Sequence, residues 1–231
     1  MSQALPERVL AELDQLFDNL TRQEEPIRNR AMSRLMEYEK SGSIPLEALI
    51  DMTREKNPVV SMYAIGALGR NGSPQAVSRL LEMANKAMSE NPLVLETLIE
   101  AMGAAKAKET VPFLLEMLGV KTGLKKLLGK ITPKKETDPE KAGLRDFLLL
   151  PIVKVLDEIG DPRAPQALEF LLEHEDHLVR WHMVRMVMNA QMAEVSTKIH
   201  FMAEHDANEL VREMAQLALA KLNPLPPNMN N

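Results

Sequence analysis

The strongest constraint on how this chain can fold is a turn signal that returns every thirty-odd residues. A polar residue, then proline, then an apolar helix start appears at Glu25-Pro26-Ile27-Arg28, Asn57-Pro58-Val59-Val60 and Asn91-Pro92-Leu93-Val94. Variants follow at Gly143-Leu144-Arg145, Asp176-His177-Leu178-Val179-Arg180 and Asn208-Glu209-Leu210-Val211-Arg212. The steps from Pro26 to Pro58 to Pro92 are 32 and 34 residues, and those from Gly143 to His177 to Asn208 are 34 and 31. The step from Pro92 to Gly143 is 51 residues, one repeat plus roughly 18 more. A period of this length is the mark of stacked supersecondary units, none of which can bury its apolar face alone.

The local chemistry says that the units are helical. Asn57, Asn91 and Asp176 can accept hydrogen bonds from the free N–H groups of the following first turn. Pro58 and Pro92 stand at the first helical position, where the missing donor costs nothing. Apolar residues then recur three and four apart, as Val60, Tyr63, Ala64, Ala67 and Leu68, and again as Leu95, Leu98, Ile99 and Met102. Helix ends are expected at Gly69, Gly103 and Gly160, where glycine accepts the left-handed cap. The composition agrees: aromatic residues are 3% and methionines number 16, a palette that favours helices over a β-sandwich. Six helix pairs are expected, at about 8–38, 45–69, 74–103, 109–159 with an insertion, 163–189 and 192–222.

With these repeats in view, the chain resembles a HEAT-type α-solenoid. Its short units most resemble the bacterial HEAT-like repeats first noted in phycobilin lyases. The carrying stretches are VLDEIGDPRAPQALEFLLE at 155–173 and the Leu-Val-Arg starts at Leu178–Arg180 and Leu210–Arg212. Asp206 and Arg212 keep the six-residue spacing of the Asp and Arg that ladder between neighbouring units in that family. Ser61 and Leu95 depart from it, so the ladder is expected to be broken in the second and third units. The resemblance implies an all-α fold, a right-handed α-solenoid of about six HEAT-like pairs over residues 1–222. The first pair serves as the N-terminal cap, with Asp14, Asp18 and Arg22 outward. Residues 223–231, rich in proline, are expected as an extended tail.

Function has to be sought on this scaffold, because the fold alone does not name one. With no cysteine, the chain has no disulfide, thiolate metal site or cysteine nucleophile. It carries 28 Lys and Arg against 33 Asp and Glu, a formal charge of −5, which disfavours a general nucleic-acid coat. No apolar leader or membrane-length segment is seen, and a cytoplasmic location is expected. Gly-rich phosphate loops, His-Glu-x-x-His and serine-elbow motifs are absent. The expectation is a non-catalytic scaffold or adaptor with no cofactor and no metal site.

Two regions stand out as partner-binding candidates. The insertion, about 119–143, carries Lys121, Lys125, Lys126, Lys130, Lys134, Lys135 and Lys141 against three acids, a positive arm on a negative chain. Leu124, Leu127, Leu128 and Ile131 recur there at helical spacing. The segment reads as a solvated loop docked on its own solenoid, a contact for an acidic protein, or a contact for lipid or a phosphate backbone. The second region holds the chain's one tryptophan, Trp181. With Arg185, one helical turn on, it forms an aromatic–cationic anchor of the kind enriched in hot spots, or it fills space between units five and six. The expected partner is another protein with an acidic surface, bound on the concave face or along the edge bearing the insertion. An anionic membrane surface, a HEAT-like lyase and a DNA-alkylation-repair-like enzyme are the alternatives. The histidines, all between 174 and 205, and the methionines of the last two units read mainly as turn and core residues.

Overall fold

The computed structural model describes residues 7–90, 94–120 and 139–222. Among the described residues there are twelve α-helices and no strand. The chain divides into two compact units, 1–105 and 106–231. Among the described residues, no helix is long and apolar enough to cross a membrane.

The first unit holds three helix pairs: α1 (Glu7–Leu20) with α2 (Glu25–Lys40), α3 (Leu46–Met52) with α4 (Pro58–Asn71), and α5 (Pro74–Glu90) with α6 (Leu95–Ala105). Asn57 caps α4 as expected, its Oδ1 accepting from the Val59 N–H at 3.0 Å. Tyr63, Ala64, Ala67 and Leu68 are buried, as are Leu95, Leu98, Ile99 and Met102, so the expected apolar ridges are the ones that pack. Asp14, Asp18 and Arg22 are exposed.

Two of the expected helix ends are corrected. Helix α4 runs on to Asn71 and is closed by Gly72, at φ 60°. Helix α6 runs to Ala105, followed by Lys106 at φ 49°. Gly69 and Gly103 are therefore buried inside helices. The reason at Gly69 is proximity: a Cβ there would lie 2.6 Å from the Ala101 carbonyl oxygen and 2.8 Å from its Cα. Glycine lets α4 and α6 approach more closely than any side chain allows. Gly160, at φ 69°, is a left-handed cap as expected.

The second unit opens with a 3-10 turn, Lys108–Thr110, and α7 (Val111–Met117). It continues through α8 (Pro139–Ile159), α9 (Arg163–Leu168) with a 3-10 stretch Glu169–Glu173, and α10 (His177–Asn189). A short 3-10 turn, Ala193–Val195, leads to α11 (Ser196–His205) and then α12 (Glu209–Leu222). Helix α8 begins at Pro139 rather than at Gly143, and the Gly143-Leu144-Arg145 signal lies within it. Proline's fixed φ suits that first helical position. The insertion lysines from Lys121 to Lys135, and the tail 223–231, lie outside the described residues.

Returning segments separate α8, α10 and α12, which therefore run parallel and pack side by side. Their inward ridges share one register: Leu148, Ile152 and Val155 in α8; Val179, Met183 and Met186 in α10; Val211, Ala215 and Ala218 in α12. Met183, Met186, Met192 and Met202 are core residues.

Candidate functional site

The site is built where α8 and α10 meet. Asp157, near the C-terminal end of α8, has a side chain with no solvent exposure. An isolated buried carboxylate is costly, so it requires donors. Two come from α10: His182 Nδ1 lies 2.8 Å from Asp157 Oδ2, and Arg185 Nε donates to the same oxygen at 2.6 Å. A carboxylate only accepts, so Nδ1 of His182 carries the proton and its Nε2 is turned away from the aspartate. The other oxygen, Oδ1, is buried with no hydrogen-bond partner among the described residues.

The arrangement leaves Arg185 held by one nitrogen only. Its guanidinium carbon stands 5.0 Å from the centroid of the Trp181 ring, within cation–π range. Trp181 also meets the His182 ring edge-on at a centroid distance of 5.0 Å. The guanidinium is thus fixed by a buried carboxylate and an indole, while Nη1 and Nη2 have no hydrogen-bond partner among the described residues. The Arg185 side chain is 33% exposed. The pair expected from the sequence, Trp181 and Arg185, is brought together. Asp157 and His182, which organise it, were not singled out by sequence reasoning; the available signal was that Asp157 falls one turn after Val153 and between the buried Leu156 and Ile159, whereas its neighbour Glu158 is exposed.

Beside this cluster, Arg180 and Asp206 form a full rung of the polar ladder. Arg180 donates from Nε and Nη2 to Oδ2 and Oδ1 of Asp206, both at 2.8 Å. Its Nη1 donates to the carbonyls of His174 and Glu175, at 2.7 and 2.8 Å. Arg212 repeats the second interaction, donating to the Asp206 carbonyl at 2.7 Å, and Arg28 does the same at the Arg22 carbonyl at 2.8 Å. Ser61, at the matching place in α4, donates to the Thr53 carbonyl at 3.2 Å, so a hydroxyl takes over the arginine's carbonyl contact. Asp206 is pulled in two directions: burial raises its pKa, but hydrogen bonds from Arg180 and the Asn208 N–H, with both guanidinium charges, hold it below the usual range.

Two other histidines serve local structure. His174 Nδ1 accepts from the Asp176 N–H at 3.1 Å, and His205 stacks on Phe201 at 4.7 Å. Among the described residues no three His, Asp or Glu side chains are gathered as a metal site.

No sequence among the curated proteins matches the chain. A chain from the complex of CpcE and CpcF of phycocyanin lyase, from a Nostoc species, aligns over 91% of this chain and 76% of its own, with 20% identity and a TM-score of 0.47. The family model for HEAT repeats matches residues 46–123, the span in which α3, α4, α5 and α6 pair and stack. Over that span the chain is similar to HEAT repeats.

Proposed function

We propose that this chain is a non-catalytic protein-binding scaffold whose α10 surface, centred on Trp181 and Arg185, contacts a partner protein. The observation that carries the reading is the immobilised guanidinium. A side chain as long as arginine ordinarily loses rotamer freedom on binding, at about 0.5–1.5 kcal/mol. Asp157 and Trp181 have already fixed this one, and tryptophan and arginine are the residue types most enriched in interface hot spots. Repeat scaffolds of this kind bind through area presented by successive helices, with specificity carried by a few anchors.

The test is site-specific photo-crosslinking in cells from a reactive residue installed at Leu178, one turn before Trp181. A discrete heteromeric adduct is expected, lost in Trp181→Ala and Arg185→Ala variants that keep the wild-type helical circular dichroism at the temperature of the experiment. Adducts that persist unchanged in both variants, or no adduct at all, overturn the assignment.

A further inference from the structure

The face that carries Arg185 extends over three helices, and its make-up defines what fits it. In α8, α10 and α12 the residue just before each inward ridge is apolar and exposed: Phe147 at 63%, Leu178 at 41% and Leu210 at 54%. Single exposed apolar residues are ordinary. These three occupy the same register position on neighbouring parallel helices, so they form a row. At about 8–10 Å between helix axes the row spans roughly 16–20 Å, the reach of about six residues of extended chain. Seven residues further along the same faces stand Lys154, Arg185 and Leu217. Lys154 is exposed and has no ion-pair partner among the described residues. Trp181 sits between the two rows on the middle helix.

From this we infer, building on the scaffold reading above, that the occupant of the face is a short protein segment in which an Asp or Glu is flanked by apolar side chains. The apolar residues lie on the Phe147–Leu178–Leu210 row, and the carboxylate takes the two open nitrogens of Arg185, with Lys154 beside it. Charge complementarity selects the acid. With its Nε tied to Asp157, the guanidinium offers a side-by-side pair of N–H donors, the fork that matches a carboxylate. The apolar row selects the flanks, since leaving it bare exposes area worth about 25 cal/mol per Å2. A nucleic acid would leave Phe147 and Leu210 unused and would meet Glu213 on α12.

The experiment is selection of a random dodecamer peptide library against the full chain, followed by fluorescence polarisation with the enriched peptides. Enrichment of sequences with an acid between apolar residues is expected. Replacing that acid by its amide weakens binding at least tenfold, as do Arg185→Gln and Leu178→Ser, while Met62→Ser in the first unit leaves it unchanged. Lys154→Gln and Leu178→Ser lie on the surface and keep the test valid if Arg185→Gln unfolds. Enrichment of peptides without an acid, or tighter binding to anionic vesicles or to duplex DNA than to any peptide, overturns the inference. So does self-association of the chain that Leu178→Ser abolishes. If Leu178 crosslinks a partner yet the peptides carry no acid, this inference falls and the scaffold reading stands; if neither is found, both fall.

Discussion

Arg180 on α10 joins two helix pairs through Asp206, which lies in the turn before α12, with both of the carboxylate's oxygens held at 2.8 Å. The same guanidinium closes the carbonyls of His174 and Glu175 in the turn between the two helices of its own pair. Side-chain exposures of 13% and 6% place the contact well inside the unit. One residue therefore sets both the turn within a pair and the register between pairs.

Substituting Asp206→Asn is expected to destabilise the second unit by about 3 kcal/mol, because it leaves a largely buried cation without its counter-charge. The effect has a pH signature. Asp206 titrates below the ordinary aspartate range in the folded chain, so its contribution is present above the unfolded value, about 3.9, and fades as pH falls below it through the folded value. Asp161, held low chiefly by its hydrogen bond from the Arg163 side chain, acts in the same direction. Urea denaturation of the wild type and the variant at pH 7, 5 and 3 checks this: the gap is full at pH 7 and 5 and narrowest at pH 3.

Gly66 and Gly69 lie one turn apart on α4 and should respond oppositely to alanine. At Gly69 the added Cβ meets Ala101 backbone at 2.6 Å, which cannot step aside, so α4 and α6 must separate. Gly69→Ala is expected to cost about 1–3 kcal/mol despite alanine's better helix propensity. At Gly66 the nearest atom is Nη1 of Arg70, at 3.3 Å, the one nitrogen of that guanidinium not holding Glu39; a side-chain shift of a few tenths of an ångström makes room, and Gly66→Ala should be neutral or stabilising by up to about 1 kcal/mol. Thermal melts of the two variants decide it; equal shifts would contradict the close-approach account.

These glycines also show where sequence reading stops. The repeat step was legible because Asn57 and Asp176 cap helices by local chemistry, with bonds only two residues long. A glycine near a helix end, by contrast, serves equally as a left-handed cap or as a site of contact, and only packing distinguishes Gly69 from Gly72. The candidate site divides in the same way. Trp181 and Arg185 are one helical turn apart, so their pairing follows from helical spacing. Asp157 reaches His182 and Arg185 only because successive helices lie side by side, and stacking order is not written within either helix.

Tyr63 tests the packing of α2 on α4. Its hydroxyl donates to Glu39 Oε1 at 2.6 Å and lies 3.2 Å from the Leu35 carbonyl, and Arg70 holds Glu39 from the far side at 2.7 and 2.9 Å. Tyr63→Phe removes the donor and leaves Glu39 to Arg70, for an expected loss of about 1–2 kcal/mol. Burial first, then the Glu39 carboxylate, pushes the phenol well above its usual value. That stabilises the folded chain below the unfolded value, about 10, and the benefit is lost as pH rises beyond it. In an alkaline titration followed at 295 nm, Tyr63 should ionise only together with the loss of helical circular dichroism. Ionisation in the still-helical chain would show that the hydroxyl is not enclosed as described.

Holding and touching are separable at the α10 face. Asp157 is sealed from solvent and reaches the surface only through Arg185 and His182, so it is a positioning residue. Asp157→Asn keeps the shape of the side chain but removes the charge that fixes Arg185 Nε, and Asp157→Ala removes both. The alanine variant should lose about 3–5 kcal/mol of stability, as expected when one partner of a buried charge pair is deleted. The asparagine variant should lose less and stay folded at 25 °C. Trp181, the one tryptophan in the chain, reports the consequence directly, because a released guanidinium no longer sits 5.0 Å from its ring. A shifted emission maximum and faster acrylamide quenching are expected in Asp157→Asn, with the circular dichroism of the wild type. A variant that is folded, as stable as wild type and unchanged in Trp181 emission would mean that Asp157 does not hold Arg185 against the indole.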